Sequence, residues 1–180
     1  MILPFSTKLN DKPTYFVEKI LTGLLHSGLV AEPDFDSICP SWIVVQTNDI
    51  KYRIDFDYTI THKPKLHTLR EDKNNRWKVG NRIDFYINAR QKSMYRFAPY
   101  LPVVRVQNIE IKYVPFGNDK QAARPFVKVD GRLIYDVGQI FSSQMKDFAE
   151  NDGFDSVNDF FAYFNKDFTG KIIHWTDIKY

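Results

Sequence analysis

The chain has 180 residues, 43% of them hydrophobic and 26% charged, which suffices for one buried core and excludes a disordered or low-complexity chain. No apolar run approaches the roughly 20 residues that span a bilayer, and Met1-Ile2-Leu3-Pro4 does not open like an export signal, so a soluble, cytoplasmic protein without membrane partners is expected. The single Cys39 excludes an internal disulfide and a multi-cysteine zinc site, and the net charge of +3 is too small to make the whole surface a polyanion binder.

Aromatic residues make up 16% of the sequence and favour strands. The first strand is expected over Ile2 to Ser6. A helix follows, since Phe16, Ile20, Leu21 and Leu24 recur at helical spacing and Gly28 is placed to end it. Residues 32–40 are polar with two prolines and read as loop. Trp42 to Thr47 and Lys51 to Tyr58 predict a hairpin about Asn48-Asp49. Lys65 to Arg70 is a short extended segment, followed by a polar stretch to Gly80-Asn81. Arg82 to Ala89 and Val103 to Val114 predict strands, and Phe126 to Val129 with Arg132 to Tyr135 a hairpin about Asp130-Gly131. Val137, Ile140, Phe141 and Phe148 suggest one helix, Ser156 is a candidate N-cap of another, and Lys171 to Tyr180 returns as a last strand. The sum is α+β: a single domain over 1–180 with mostly antiparallel strands, consistent with a small, partly closed barrel and flanking helices.

Charge is segregated along this order. From Lys63 to Arg96 there are ten basic residues against three acidic ones, whereas from Asp136 to Asp167 seven acidic residues face two basic ones. A basic segment within an otherwise mildly acidic chain fits a directed surface for a polyanion; the alternative is a solvated basic face. Its densest part is Lys65-x-x-Thr68-x-Arg70 followed by Arg76 and Lys78. On a regular strand Thr68 and Arg70 share a face, and Lys65 joins them only through a bend that Pro64 could provide. A lysine near an arginine and away from water loses basicity and could activate the Thr68 hydroxyl; alternatively Lys65 and Arg70 meet phosphate while Thr68 satisfies a backbone group. Asp152, in Asn151-Asp152-Gly153, could orient such a lysine or relay a proton, or simply form a turn. His67 could sit in the cleft or be a packed or rim histidine, and Tyr95, Phe97 and Tyr100 interleave with Arg90, Lys92 and Arg96 as rings on which bases could stack if exposed, or as the lid of the barrel if buried. No histidine or carboxylate spacing suggests a metal site, and neither a metal nor an organic cofactor is expected.

Lys65-Leu66-His67-Thr68-Leu69-Arg70, the connection to Lys78-Val79-Gly80-Asn81, the strand Arg82-Ile83-Asp84-Phe85 and the late Ala149-x-x-Asp152-Gly153-Phe154 together resemble the ASCH family of PUA-like proteins. The resemblance covers roughly Lys65 to Tyr180, and residues 24–64, with their hairpin, would be an insertion absent from compact members. It implies a small PUA-like β-barrel with flanking helices, a cleft lined by the K-x-x-T-x-R segment, and RNA or a modified nucleoside as partner. The ligand-binding residues it implies, together with the basic segment, are Lys65, His67, Thr68, Arg70, Arg76, Lys78, Arg90 and Tyr95. Some members remove the acetyl group from acetylated cytidine with Lys, Thr and Glu. Lys65 and Thr68 match the first two, and Asp152 stands at the position of the Glu. The resemblance therefore leaves two expectations, an RNA- or nucleoside-binding domain and an amidohydrolase acting through Lys65, Thr68 and Asp152.

Overall fold

The computed structural model describes residues 1–9, 11–30, 42–47, 50–55, 62–116, 119–136 and 143–180. The chain divides into two compact units, each discontinuous: Met1–Leu66 with Gly80–Pro102, and His67–Val79 with Val103–Tyr180. The described residues form an α+β protein with three helices and several sheets.

In the first unit, β1 (Ile2–Phe5) runs parallel to β7 (Arg82–Ile87), with Ile2 opposite Asp84 and Phe5 opposite Ile87. A parallel pair needs a long crossover, and here the intervening chain supplies helix α1 (Phe16–His26). The short strands β8 (Tyr95–Arg96) and β9 (Leu101–Pro102) pair antiparallel with the two ends of β7. Strand period two then sorts β7: Ile83, Phe85 and Ile87 face the core at 1% exposure or less, while Arg82 stands in solvent. Phe85 stacks on Phe5 at 6.0 Å, and Phe97 meets both rings edge-on. The helix buries Val17, Ile20, Leu21 and Leu24, each contributing about 1.5 to 3 kcal/mol of transfer free energy. Its first residue, Phe16, lies edge-on to Phe5.

Tyr15 occupies the N-cap of α1 in a left-handed conformation and offers no capping side chain; Thr14 Oγ1 instead accepts from the Phe16 amide at 3.3 Å. At the other end Gly28 takes φ +63, and the Leu29 amide returns to the Leu24 carbonyl, a glycine stop of the kind its position in the sequence suggests. Two further hairpins belong to this unit. The strands β2 (Lys8–Leu9) and β3 (Lys12–Pro13) pair antiparallel, and so do β4 (Trp42–Thr47) and β5 (Ile50–Asp55). The β4–β5 pairing agrees with the expected hairpin, whose turn residues and the expected continuation to Tyr58 lie outside the described residues, as does Cys39.

The second unit is built on a five-stranded antiparallel sheet in the order β12-β11-β10-β13-β6. Its strands are β6 (His67–Arg70), β10 (Arg105–Phe116), β11 (Asp119–Val129), β12 (Arg132–Asp136) and β13 (Phe168–His174). Ile109, Ile111, Val127, Val129, Ile172 and Ile173 form its buried centre. The β11–β12 turn is Asp130-Gly131, with φ +48 and +81, the double positive φ that suits the twist of a hairpin. Helix α2 (Ser143–Asn151) ends where Gly153 takes φ +88 and the Phe154 amide donates back to the Ala149 carbonyl. Helix α3 (Val157–Tyr163) starts at the Ser156 cap, whose hydroxyl oxygen accepts from the Asp159 amide. Residues 137–142, expected to begin α2, lie outside the described residues.

Among the described residues no sheet closes into a barrel; β12 and β6 remain the edges of the larger sheet. The final strand is also shorter at its C-terminal end than its aromatic content suggests. It stops at His174, and Trp175 and Thr176 are buried beyond it.

Candidate functional site

In the first unit, the segment carrying Lys65 docks on α1. The Lys65 amide donates to the Lys19 carbonyl at 2.8 Å, and the Lys65 carbonyl lies so close to Gly23 that a Cβ there would sit 2.8 Å from it. Only glycine fits that helical position without moving backbone. The Lys65 side chain is 1% exposed, with its ammonium 4.7 Å from the centre of the Phe16 ring, a cation–π contact within a buried setting. Arg90 and Tyr95 belong to the same unit and are exposed, Arg90 in a left-handed turn at φ +68 and Tyr95 on β8 opposite Ile87. Phe97, next to them in sequence, is fully buried and belongs to the core.

In the second unit, β6 carries His67, Thr68 and Arg70. Its pairing with β13 sets Thr68 opposite Ile173 and His67 opposite His174. Strand alternation puts Thr68 and Arg70 on one face and His67 and Leu69 on the other. Burial of the Arg70 guanidinium depresses its pKa, and the nearby charge of Asp152 opposes that shift, with Tyr163 a further neighbour. Asp152 itself is 3% exposed, at the C-terminal end of α2 where its amide donates to the Phe148 carbonyl. The fold thus makes electrostatic neighbours of Arg70 and Asp152, which the sequence keeps far apart. Close approach of β13 to β6 at this point requires Gly170, where a Cβ would collide with the Arg70 carbonyl and lie 2.8 Å from the Phe168 ring.

The opposite face of β6 holds an aromatic and imidazole cluster. His67 lies 5.1 Å from Phe148, 5.3 Å from His174 and 5.3 Å from Tyr180, centre to centre. The Tyr180 hydroxyl is 3.2 Å from His67 Nδ1 and accepts from Asn151 Nδ2 at 2.9 Å. Burial pushes the Tyr180 phenol above its ordinary pKa, against the Asn151 hydrogen bond. His174 is fully buried, and neither of its ring nitrogens has a hydrogen-bond partner among the described residues. Burial, reinforced by the Arg105 charge and opposed by Asp130, lowers its pKa to about 4. The imidazole is therefore neutral near pH 7.

Arg76 and Lys78 project into solvent from the turn after β6, which is organised by the Asp72 carboxylate accepting from the Arg76 and Trp77 amides at 2.9 Å each. Chemically, the predicted residues divide by solvent access. Lys65, His67, Thr68 and Asp152 are withdrawn from water, Arg70 is partly so, and Arg76, Lys78, Arg90 and Tyr95 stand at the surface. Sequence reasoning missed Tyr163, Asn151 and Tyr180 as neighbours of this cluster. Nothing in their spacing signals it, because α2, α3 and the C-terminal segment reach β6 only through tertiary folding.

Among the described residues, no three or more His, Cys, Asp or Glu gather to hold a metal ion, and no helix is long and apolar enough to cross a membrane. No protein-family model, curated protein or solved structure matches the chain.

Proposed function

We propose that the chain is an ASCH-like module that binds RNA or a nucleoside-containing ligand, with Thr68, Arg70 and Asp152 of the second unit as contact residues. The observation that carries this reading is the electrostatic neighbourhood of Arg70 and Asp152, since the two come from different motifs among those on which the ASCH resemblance rests. A planar guanidinium suits a phosphate or a carbonyl at a base edge, and a carboxylate beside it suits the amino edge of a base. The barrel belonging to this reading would be PUA-like, grown from the order β12-β11-β10-β13-β6. A second reading, an amidohydrolase acting on an N-acetylated nucleoside, is favoured by the 3% exposure of both Thr68 and Asp152, because proton transfer gains from groups shielded from bulk water.

The test is binding of a labelled single-stranded RNA and of acetylated cytidine by the purified protein over a range of salt concentrations. RNA affinity is expected to fall as salt rises, and Arg70→Ala to weaken it by about tenfold, the loss of one charge-assisted contact. Asp152→Asn, which keeps the shape of the side chain, serves where Arg70→Ala melts early. Binding that ignores salt, or is unchanged in both variants, would overturn the reading. Turnover of acetylated cytidine that disappears in Thr68→Ala would establish the hydrolase instead, and turnover kept in that variant would remove Thr68 from the chemistry.

A further inference from the structure

In the first unit, β7 and the chain returning from β8 bring together two arginines and a tyrosine, Arg82, Arg96 and Tyr100. The Arg82 guanidinium carbon lies 3.2 Å from the centre of the Tyr100 ring, and that of Arg96 lies 4.5 Å from the same centre. All three side chains are exposed, Tyr100 at 47%. Two like charges on one ring repel each other, so an arrangement of this kind needs the ring's negative face and hydroxyl to hold it. A hydrogen bond from Arg96, together with the Arg82 charge, indeed favours the ionised form of the Tyr100 phenol. The carboxylate at hand is Asp84, which accepts from Arg82 Nε at 3.0 Å and leaves the cluster with a positive excess.

The surroundings extend that excess. Between residues 82 and 100 the cations Arg82, Arg90, Lys92 and Arg96 face the single carboxylate of Asp84, and Arg90 and Lys92 are exposed in the turn joining β7 to β8. A solvated basic face would leave its long side chains mobile. Here two of them are already ordered against a ring, so less side-chain entropy is lost when a ligand binds. The exposure of all three side chains is that of a surface track, which matches an extended polyanion better than a small enclosed anion.

We propose that Arg82 and Arg96, braced by Tyr100, form a phosphate-binding site for the backbone of single-stranded RNA. It rests on the proposed RNA-binding function and deepens it, by adding a sequence-independent backbone contact on residues that the K-x-x-T-x-R motif does not include. Arg90 and Lys92 contribute long-range attraction, and the two guanidiniums supply the paired donors that a phosphate accepts.

The test measures anisotropy of a labelled oligouridine 12-mer against salt for the wild type, Arg82→Ala, Arg96→Ala, Arg96→Glu and Tyr100→Ala, with uridine as a second ligand. Each arginine removed should lower the slope of log affinity against log salt by about 0.7, the value for one phosphate contact on a single strand, with Arg96→Glu lowering affinity further than Arg96→Ala. Tyr100→Ala keeps both charges, so it should keep the slope while lowering affinity about threefold through lost bracing. Uridine, which has no phosphate, should bind the Arg82 and Arg96 variants as it binds the wild type. Slopes and affinities unchanged in all four variants overturn the proposal, as does wild-type protein that does not bind the 12-mer. Loss on Arg70→Ala alone leaves the function standing and sinks this site, whereas loss on Arg96→Ala with Arg70→Ala inert sustains this site and sinks the Arg70 reading.

Discussion

His174 shows what a single buried titratable group does to a fold of this kind. An unfolded histidine takes up its proton near pH 6.5, and the folded one only near pH 4. Between those values the unfolded chain binds a proton that the folded chain refuses, so stability present in full above pH 6.5 drains away as acid is added. The loss amounts to about 2 kcal/mol by pH 5 and about 3 kcal/mol by pH 4. The groups facing the ring are Arg105, which deepens the effect, Asp130, which opposes it, and the neighbours His67 and Tyr180. Glu18 acts in the opposite sense, since burial raises its pKa and stabilises the folded state as pH falls. The comparison that isolates His174 is therefore wild type against His174→Leu in urea unfolding at pH 7.5 and pH 5. The wild type should lose about 2 kcal/mol more than the variant across that interval, and equal losses would show that the ring titrates normally. Because neither ring nitrogen has a hydrogen-bond partner among the described residues, the variant should match or exceed the wild type at pH 7.5.

At the scale of elements, turn and cap chemistry transferred from sequence to structure most directly. Asp130-Gly131 and Ser156 act where their residue types suggest, because their effects are local and need no tertiary partner. The energetic weights differ, though, and only the fold reveals it. Ser156 caps one helix of about two turns, and Ser156→Ala should cost about 1 kcal/mol. Asp130 also adopts a left-handed conformation, while its carboxylate accepts from the Asn108 amide at 2.8 Å, from Asn108 Nδ2 at 3.1 Å and from Gln107 Nε2 at 3.0 Å. Asp130→Ala removes all of these and strains the turn, so a cost of about 2 kcal/mol or more is expected. Thermal melts of the two variants check the order; Ser156→Ala melting lower than Asp130→Ala would contradict it. Elements that depend on distant partners were illegible. The strands Lys8–Leu9 and Tyr95–Arg96 are two residues long, too short for any periodicity, and the parallel pairing of β1 with β7 joins residues with most of a unit's sequence between them. The site divides in the same way. The K-x-x-T-x-R segment is visible as a pattern, whereas the electrostatic neighbourhood of Arg70 and Asp152, and the contact of Tyr100 with Arg82 and Arg96, are tertiary.

Over the whole molecule, the chain passes from the first unit to the second at Leu66–His67, back at Val79–Gly80, and again to the second at Pro102–Val103. The sequence reads as one domain over 1–180 with no Gly/Ser linker at these crossings, and the basic run from Lys63 to Arg96 belongs partly to each unit. The threading has a consequence for folding. The stretch His67–Val79 gives the second unit its edge strand β6, whose residues His67 to Arg70 pair with Lys171 to His174 of β13. Leu69 in that stretch, opposite Ile172 of β13, is 4% exposed. Burying it is worth about 2 kcal/mol, a sizeable share of the roughly 5 to 15 kcal/mol that stabilises a domain. A fragment comprising residues 103–180 retains β10 to β13 and both C-terminal helices, yet it would expose the β13 ladder that β6 covers. Such a fragment should show no cooperative thermal transition by circular dichroism, whereas the full chain should. Adding a peptide of residues 63–79 in excess should restore a transition whose midpoint rises with peptide concentration, as mass action requires when a ligand binds only the folded form. A fragment that melts cooperatively alone, with a midpoint indifferent to the peptide, would show that β6 is not part of the second unit's stable core.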